Sequence, residues 1–408
     1  MAKFVNNGKV FVAMSGGVDS SVAAWLLKNE PGLPAGRQGY EVVGIFMRCY
    51  NLDGCQDRDA EDARRVAEKI GIPFYVWDFE EEYKRRVVDY MVEGYRQGIT
   101  PNPDVMCNKE IKFGIFFDRA RALGADYVAT GHYVRLATRE NFAFLDHASL
   151  APTASSLQSS PVGCRKAADQ AQPAASVSEN KIFSLRVAHD KNKDQSYFLW
   201  TLIQDKLRHC LFPVGDYLKS EVREIARRAG LPTAEKKDSQ GICFLGKVTL
   251  ADFLKDYIPE RNGLVLTTAG EKIGEHSGAH FYTIGQRHGL DLQSKNSELG
   301  VRGQHETKAH YVSQKDVKTN TVVVAEGDDN PALYRGELEI VSPNWISGSA
   351  PKLPVKIFAR VRYRQPLSPA VFDGRELIFD SPQKFVASGQ SAVFYSENGE
   401  MLGGGIIQ

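Results

Sequence analysis

The sequence predicts an α/β protein: a doubly wound parallel sheet, then a small α-rich central domain, then a C-terminal antiparallel β-barrel. Three observations lead there. Apolar runs of strand length alternate with helical patterns up to about residue 135. A string of glycines and hydroxyls, "MSGGVDSS" (14–21), follows the first apolar run. Beyond residue 281 the pattern changes to short strands separated by turn signals.

The elements follow in order. "KVFVAM" (9–14) is a buried-strand run, and Asp19, Ser20 and Ser21 are N-cap types opening the helical "VAAWLLKN". "YEVVGIFM" (40–47) is a second strand, and "DRDAEDARRVAEKIG" a helix that Gly71 stops. "IPFYVWDF" (72–79) is a third strand, followed by the helix "EEEYKRRVVDYMVEGYRQG". "IKFGIFFDRARALGA" is helical and "DYVATGHYV" (126–134) is a strand. Strands joined through helices give a parallel sheet whose ligand crevice lies at the carboxyl ends of the strands. Two segments interrupt this order. "PGLPAGRQG" (31–39) reads as a surface loop, and the Ala/Ser/Gln/Pro-rich 147–180 as a disordered insertion. The expected division is 1–212 for the sheet domain, 213–280 for the central domain and 281–408 for the barrel. The central part carries "SEVREIARRAGLP", "KKDSQGICFLG" and "LADFLKDYI".

Composition narrows the class. At 408 residues, 42% apolar and 25% charged, each part can bury a core. A net charge of +1 gives no global pull toward polyanions or membranes, so a nucleic-acid partner would be held by local basic patches. No run reaches the ~18 apolar residues of a membrane span, and no leader pattern opens the chain, so a cytoplasmic location is expected. The six cysteines include no C-x-x-C pair, which argues against a protein-ligated metal.

The loop after the first strand resembles a phosphate cradle but lacks the lysine of a G-x-x-x-x-G-K-[ST] motif. Gly16 and Gly17 let the backbone approach a polyphosphate. The helix N-terminus supplies positive character, and Ser15, Ser20 and Ser21 add donors. In "TPNPDVMCNKEIKFG" (100–114), Cys107 sits near a helix N-terminus with Lys109 and Lys112 close by, which favours thiolate. Asp104, one turn earlier, is placed to orient a substrate or move a proton. Cys243, flanked by Gly241 and Gly246, is a second loop thiol. In "PVKIFARVRYR" (354–364), Lys356, Arg360, Arg362 and Arg364 share one strand parity, an expected cationic face with ~6.7 Å steps toward nucleic-acid phosphates.

The string "SGGVDSS" resembles the PP-loop of the N-type ATP pyrophosphatases, an adenine nucleotide alpha hydrolase-like fold. With "PNPDVMCNKEIKFG", "ATGHY", "KDQSYFL", "DSQGICF", "FYTIGQRHGL", "RYRQ", "SGQSAVFY" and "LGGGII" in this order, nearly the whole chain is similar to the tRNA-specific 2-thiouridylases. The resemblance implies ATP-dependent 2-thiolation of the wobble uridine, position 34, of tRNA. The C2 oxygen is adenylated and then replaced by sulfur from a cysteine persulfide. It implies that Ala13, Met14, Ser15, Gly16, Gly17, Val18, Asp19, Ser20, Met47 and Gly131 hold ATP, with Mg²⁺ accompanying it. It puts Asn102, Pro103 and Asp104 at the target base. It puts His132, Lys193, Asp194, Gln195, Arg362, Tyr363 and Gln390 on tRNA. Cys243 would carry the persulfide and Cys107 act as nucleophile, leaving a disulfide between them. The implied partners are tRNA, with acceptors for Lys, Glu and Gln, and a desulfurase or sulfur-relay donor. Two other readings remain open. An amide-forming PP-loop synthetase would need neither thiol, and a degenerate RNA-binding protein would have no use for an intact loop.

Overall fold

The computed structural model describes residues 8–29, 39–52, 54–140, 181–237, 244–246, 248–292 and 308–408. The expected insertion 147–180, nearly all of the loop 31–39, and Cys243 lie outside these residues.

Five parallel strands form the first sheet, in the order Phe74–Asp78, Glu41–Arg48, Lys9–Ala13, Tyr127–Ala129, Cys210–Leu211. Side-chain alternation divides the interior. Val10, Val12, Val42 and Ala129 face one core with helices Val18–Asn29, Cys55–Ile70 and Lys219–Arg228. Phe11, Ala13, Val43, Ile45 and Val128 face the other. That side is covered by the helical stretches 80–96 and 103–122. Both faces of the central strands are therefore buried, which is why Lys9–Ala13 and Glu41–Arg48 read as continuous apolar runs, while the edge strand Phe74–Asp78 leaves Tyr75 and Val76 exposed. The buried Ala63, Val66 and Ala67 form the i, i+3, i+4 stripe that holds helix Cys55–Ile70 down. Each fully buried aliphatic side chain contributes about 1.5–3 kcal/mol of transfer free energy.

After the short helices comes a second, five-stranded sheet, in the order Asp291–Leu292, Lys272–His276, Gly263–Thr267, Thr321–Glu326, His310–Asp316. The strands between 291 and 326, expected in the barrel, join this sheet instead because Thr321–Glu326 pairs in parallel with Gly263–Thr267. The C-terminal part closes a barrel. Its strands run Tyr334–Trp345, Glu376–Lys384, Ser368–Phe372, Val355–Arg360, Ser391–Tyr395 and Glu400–Ile407, and the last pairs back onto the first. Closure leaves no open edge around the ring. Glu400–Ile407 also pairs with Lys181–Val187, whose partner is Val134–Glu140. A hairpin of the first domain is thereby sewn onto the barrel. Among the described residues no helix is long and apolar enough to cross a membrane.

Candidate active site

In the parallel sheet the strand order reverses between Lys9–Ala13 and Tyr127–Ala129, so the ligand crevice is expected beyond Ala13 and Ala129. The glycine loop leaves Ala13 there. Gly16 has φ 72°, and a Cβ on it would stand 2.2 Å from the Asp59 carbonyl oxygen. Only glycine fits both the dihedral and the space. On Gly17 the nearest atom to a Cβ would be Ser15 Oγ at 3.4 Å, so that side of the turn is open. Ser20 Oγ accepts from Ser15 N at 3.1 Å and donates to the Gly17 carbonyl at 3.2 Å. Ser21 differs from its expected role. It is buried, donates its one proton to the Gly17 carbonyl at 2.7 Å and accepts from Thr233 Oγ1 at 3.0 Å. It braces the loop and has no donor left for a phosphate. Met47 lies near the end of the neighbouring strand, and Met14 N donates to Ile45 O at 2.8 Å.

The loop Thr130–Tyr133 stands beside this turn. A Cβ on Gly131 would lie 2.7 Å from Ser20 N, so only a bare backbone lets the two loops meet. His132 is buried, with Nδ1 2.8 Å from Thr130 Oγ1 and its ring 6.1 Å from that of Phe113. Burial, and then the charge of Lys112, drive its pKa well below the usual histidine range, so the ring is neutral. Tyr133 OH donates to Asp19 Oδ1 at 2.8 Å.

Phe113 brings in the thiol helix. Asn102 caps it, its Oδ1 accepting from Val105 N at 3.2 Å, and Pro103 occupies the first turn. The helix runs through Cys107 without a break, and only at Gly114 is the backbone non-helical. Cys107 therefore sits in the second turn, 5% exposed, with its N–H bonded to Pro103 O and Asp104 O. Asp104 shares its face, and burial, partly opposed by Lys112, raises the Asp104 carboxyl above the usual range. No disulfide joins the described cysteines 49, 55, 107 and 210. Cys243 is outside the described residues, but both of its flanks are fixed. Lys236 Nζ binds Asp59 at 2.7 Å and Asp62 at 2.6 Å. Phe244 packs at 6.2 Å on Tyr50 and 5.8 Å on Tyr83, inside the cluster that also contains Cys107.

Residues 8–247 match the family described as the tRNA methyl transferase HUP domain. Residues 251–326 match the tRNA methyl transferase PRC-barrel domain, and 335–407 the aminomethyltransferase beta-barrel domain. The tRNA-specific 2-thiouridylase MnmA 2 of Geobacillus kaustophilus is 42% identical over 100% of this chain and 96% of its own. The tRNA-specific 2-thiouridylase MnmA of Methylobacillus flagellatus is 41% identical over 98% of each. The chain belongs to the tRNA-specific 2-thiouridylase family. Among solved structures, the U34-tRNA thiolase NcsA of Methanococcus maripaludis with its [4Fe-4S] cluster covers 62% of this chain and 67% of its own. At 18% identity and a TM-score of 0.33 it is too distant to argue from.

Within this member of the thiouridylase family, the residues expected on tRNA fall into two groups. Asp194 faces the interior, 3% exposed. It accepts from Ala188 N (3.0 Å), Ser196 N (3.2 Å) and Ser196 Oγ (2.9 Å), and pairs with Arg360 at 2.5 Å. Gln195 Oε1 accepts from Tyr133 N at 2.9 Å and so holds the His132 loop. Gln390 Nε2 donates to Thr100 O (2.9 Å) and Pro101 O (3.3 Å), clamping the segment before Asn102 to the barrel. All three side chains are hydrogen-bonded within the protein. Lys193 sits at the turn between Asp190 and Gln195, partly exposed. Tyr363 stacks on Phe198 at 4.5 Å, and exposed Arg364 lies 5.1 Å over its ring.

The four-cation strand face is corrected by the structure. The strand ends at Arg360, which is 6% exposed and neutralised by Asp194. Arg362 Nε donates to Phe385 O at 2.7 Å, and its Nη2 to Ile284 O. Arg364 adopts φ 65°, outside any strand. Parity extrapolated past residue 360 fails because the chain turns there. Sequence reasoning also missed Lys219, whose Nζ reaches Asp19 Oδ1 (2.7 Å) and Oδ2 (2.8 Å) across 200 residues. Its helical pattern was legible, but no local signal tied it to the loop.

Proposed function

We propose that the chain 2-thiolates the wobble uridine of tRNA, with ATP and a cysteine persulfide. One observation carries the reading. The Thr130–Tyr133 loop touches the glycine loop through Gly131 and the thiol helix through His132 and Phe113. A nucleotide held at one side therefore lies next to a base held at the other.

The loop amides around Gly16 and Gly17, with the N-terminus of helix Val18–Asn29, hold the polyphosphate of ATP. Mg²⁺ bound with ATP would meet Asp19 and further screen the charge. Attack of the uridine C2 oxygen on the α-phosphate releases pyrophosphate and turns that oxygen into a leaving group. Asn102, Pro103 and Asp104 orient the base, and burial, which raises the Asp104 carboxyl above the usual range, favours its holding a proton. A persulfide on Cys243 supplies the sulfur to C2 as AMP departs. The Cys107 thiolate then attacks Cys243 Sγ. The persulfide S–S bond breaks, its outer sulfur takes the electron pair and stays on the base, and a Cys107–Cys243 disulfide remains. An external thiol reductant returns both thiols. A cysteine desulfurase or sulfur relay is the donor, and tRNAs for Lys, Glu and Gln are the acceptors.

The test incubates protein, ATP, Mg²⁺, a cysteine desulfurase with cysteine as the persulfide donor, a thiol reductant and transcript tRNA, with 2-thiouridine read by mass spectrometry after digestion. Cys107→Ser and Cys243→Ser should each abolish thiolation while tRNA is still bound. Normal yield from either variant would sink the two-thiol mechanism.

A further inference from the structure

The glycine loop has no lysine of its own, yet a lysine is already at it. Lys219 opens helix Lys219–Arg228 on the far side of the first domain's sequence. Its backbone is pinned twice at that point. Lys219 N donates to Asp190 Oδ2 at 3.0 Å, and Leu218 N to Glu221 Oε2 at 2.6 Å. Its side chain, 12% exposed, lies against Tyr133, with Nζ 5.8 Å from the ring centroid. Nζ binds both oxygens of Asp19, and Tyr133 OH shares Oδ1. Asp19 is a loop residue in the first turn of the helix that faces the polyphosphate.

An acid at a helix N-terminus is favourable when the site is empty but opposes an incoming polyphosphate. A lysine held on that acid removes the opposition. A cation brought with the nucleotide competes for the same carboxylate. We propose that Lys219 is the displaced counterpart of the missing loop lysine: it neutralises Asp19 in the empty site and transfers its ammonium to a phosphate oxygen of bound ATP. The proposal rests on the ATP-dependent reading above. The alternative is a purely structural ion pair tying helix Lys219–Arg228 to the loop.

Calorimetry on the full chain separates the two. Lys219→Met removes the charge at nearly constant length. A charge-assisted hydrogen bond to phosphate corresponds to about 10- to 100-fold in affinity. Mg-ATP affinity should fall by that factor, while AMP, which lacks the two outer phosphates, should bind as in the wild type. Equal losses for ATP and AMP, or no loss in either, would overturn the proposal. If Lys219→Met does not fold, Lys219→Gln keeps a donor toward Asp19 and carries the same ATP-to-AMP comparison. Failure of the unaltered chain to bind Mg-ATP would instead remove the ATP reading, and this proposal with it.

Discussion

The Asp194–Arg360 pair joins the 188–196 loop of the first domain to the barrel, and both side chains are almost completely buried. Arg360 also bonds Tyr395 OH through Nε (3.2 Å) and Nη2 (3.0 Å). Removing one partner of such a pair leaves a desolvated charge, which costs about 3–5 kcal/mol. After Arg360→Met, Asp194 would still accept three hydrogen bonds, from Ala188 N, Ser196 N and Ser196 Oγ. Those contacts hold the loss to the lower end, about 3 kcal/mol. Asp194→Asn should cost roughly as much, because it leaves the guanidinium buried without its counter-charge. The double variant should cost clearly less than the sum, a coupling of ~2 kcal/mol. Urea unfolding followed by tryptophan fluorescence measures it, since Trp200 Nε1 donates to Ser391 Oγ in the same junction at 3.0 Å. A coupling below ~0.5 kcal/mol, the level of an exposed pair, would refute the claim that this contact is desolvated and holds the two parts together.

Gly16→Ala should abolish nucleotide binding, because its Cβ would collide with Asp59 O at 2.2 Å; unchanged affinity by calorimetry would show that the loop is not the cradle. Burial pushes Lys315 from 10.5 down to about 8. Between those pH values the unfolded chain binds more protons than the folded one, so stability should rise with pH by up to roughly 3 kcal/mol. Lys315→Met should lose that slope in urea titrations at pH 7, 8.5 and 10, and a parallel profile would count against the burial. Arg364→Ala, an exposed cation on the Tyr363 ring, should weaken tRNA binding and lower its log–log salt slope by about 1. Arg362→Ala should chiefly lower stability, because its Nε and Nη2 serve Phe385 O and Ile284 O, and a filter-binding salt series tells the two variants apart.

Much of the parallel sheet was legible because burial on both faces writes the central strands as apolar runs, as in "KVFVA" and "EVVGIFMR". The glycine loop and the Asn102–Pro103 cap were legible because their chemistry is local. Three things were not. The strands Gly263–Thr267 and Lys272–His276 sit in a stretch read as α-rich, since short half-exposed strands give weak periodicity. Glu400–Ile407 contains three glycines, unfavourable in an isolated strand, yet a Cβ on Gly404 would lie 3.0 Å from Trp200 and one on Gly405 2.3 Å from Ile340. Only the packed barrel makes those glycines necessary. The third is the buried Asp194–Arg360 pair and the half-buried Gln195 that holds the His132 loop, because their partners lie far away in sequence.

The strand Glu400–Ile407 is bordered on both sides. It closes the ring against Tyr334–Trp345 and also borders the first domain's hairpin, while Ile407 N donates to Gln390 O beside the clamp on Thr100 and Pro101. One strand thus ties together the barrel ring, the first domain's hairpin and the segment before Asn102, so a change anywhere along Glu400–Ile407 is transmitted to the start of the thiol helix, some 300 positions earlier in the sequence.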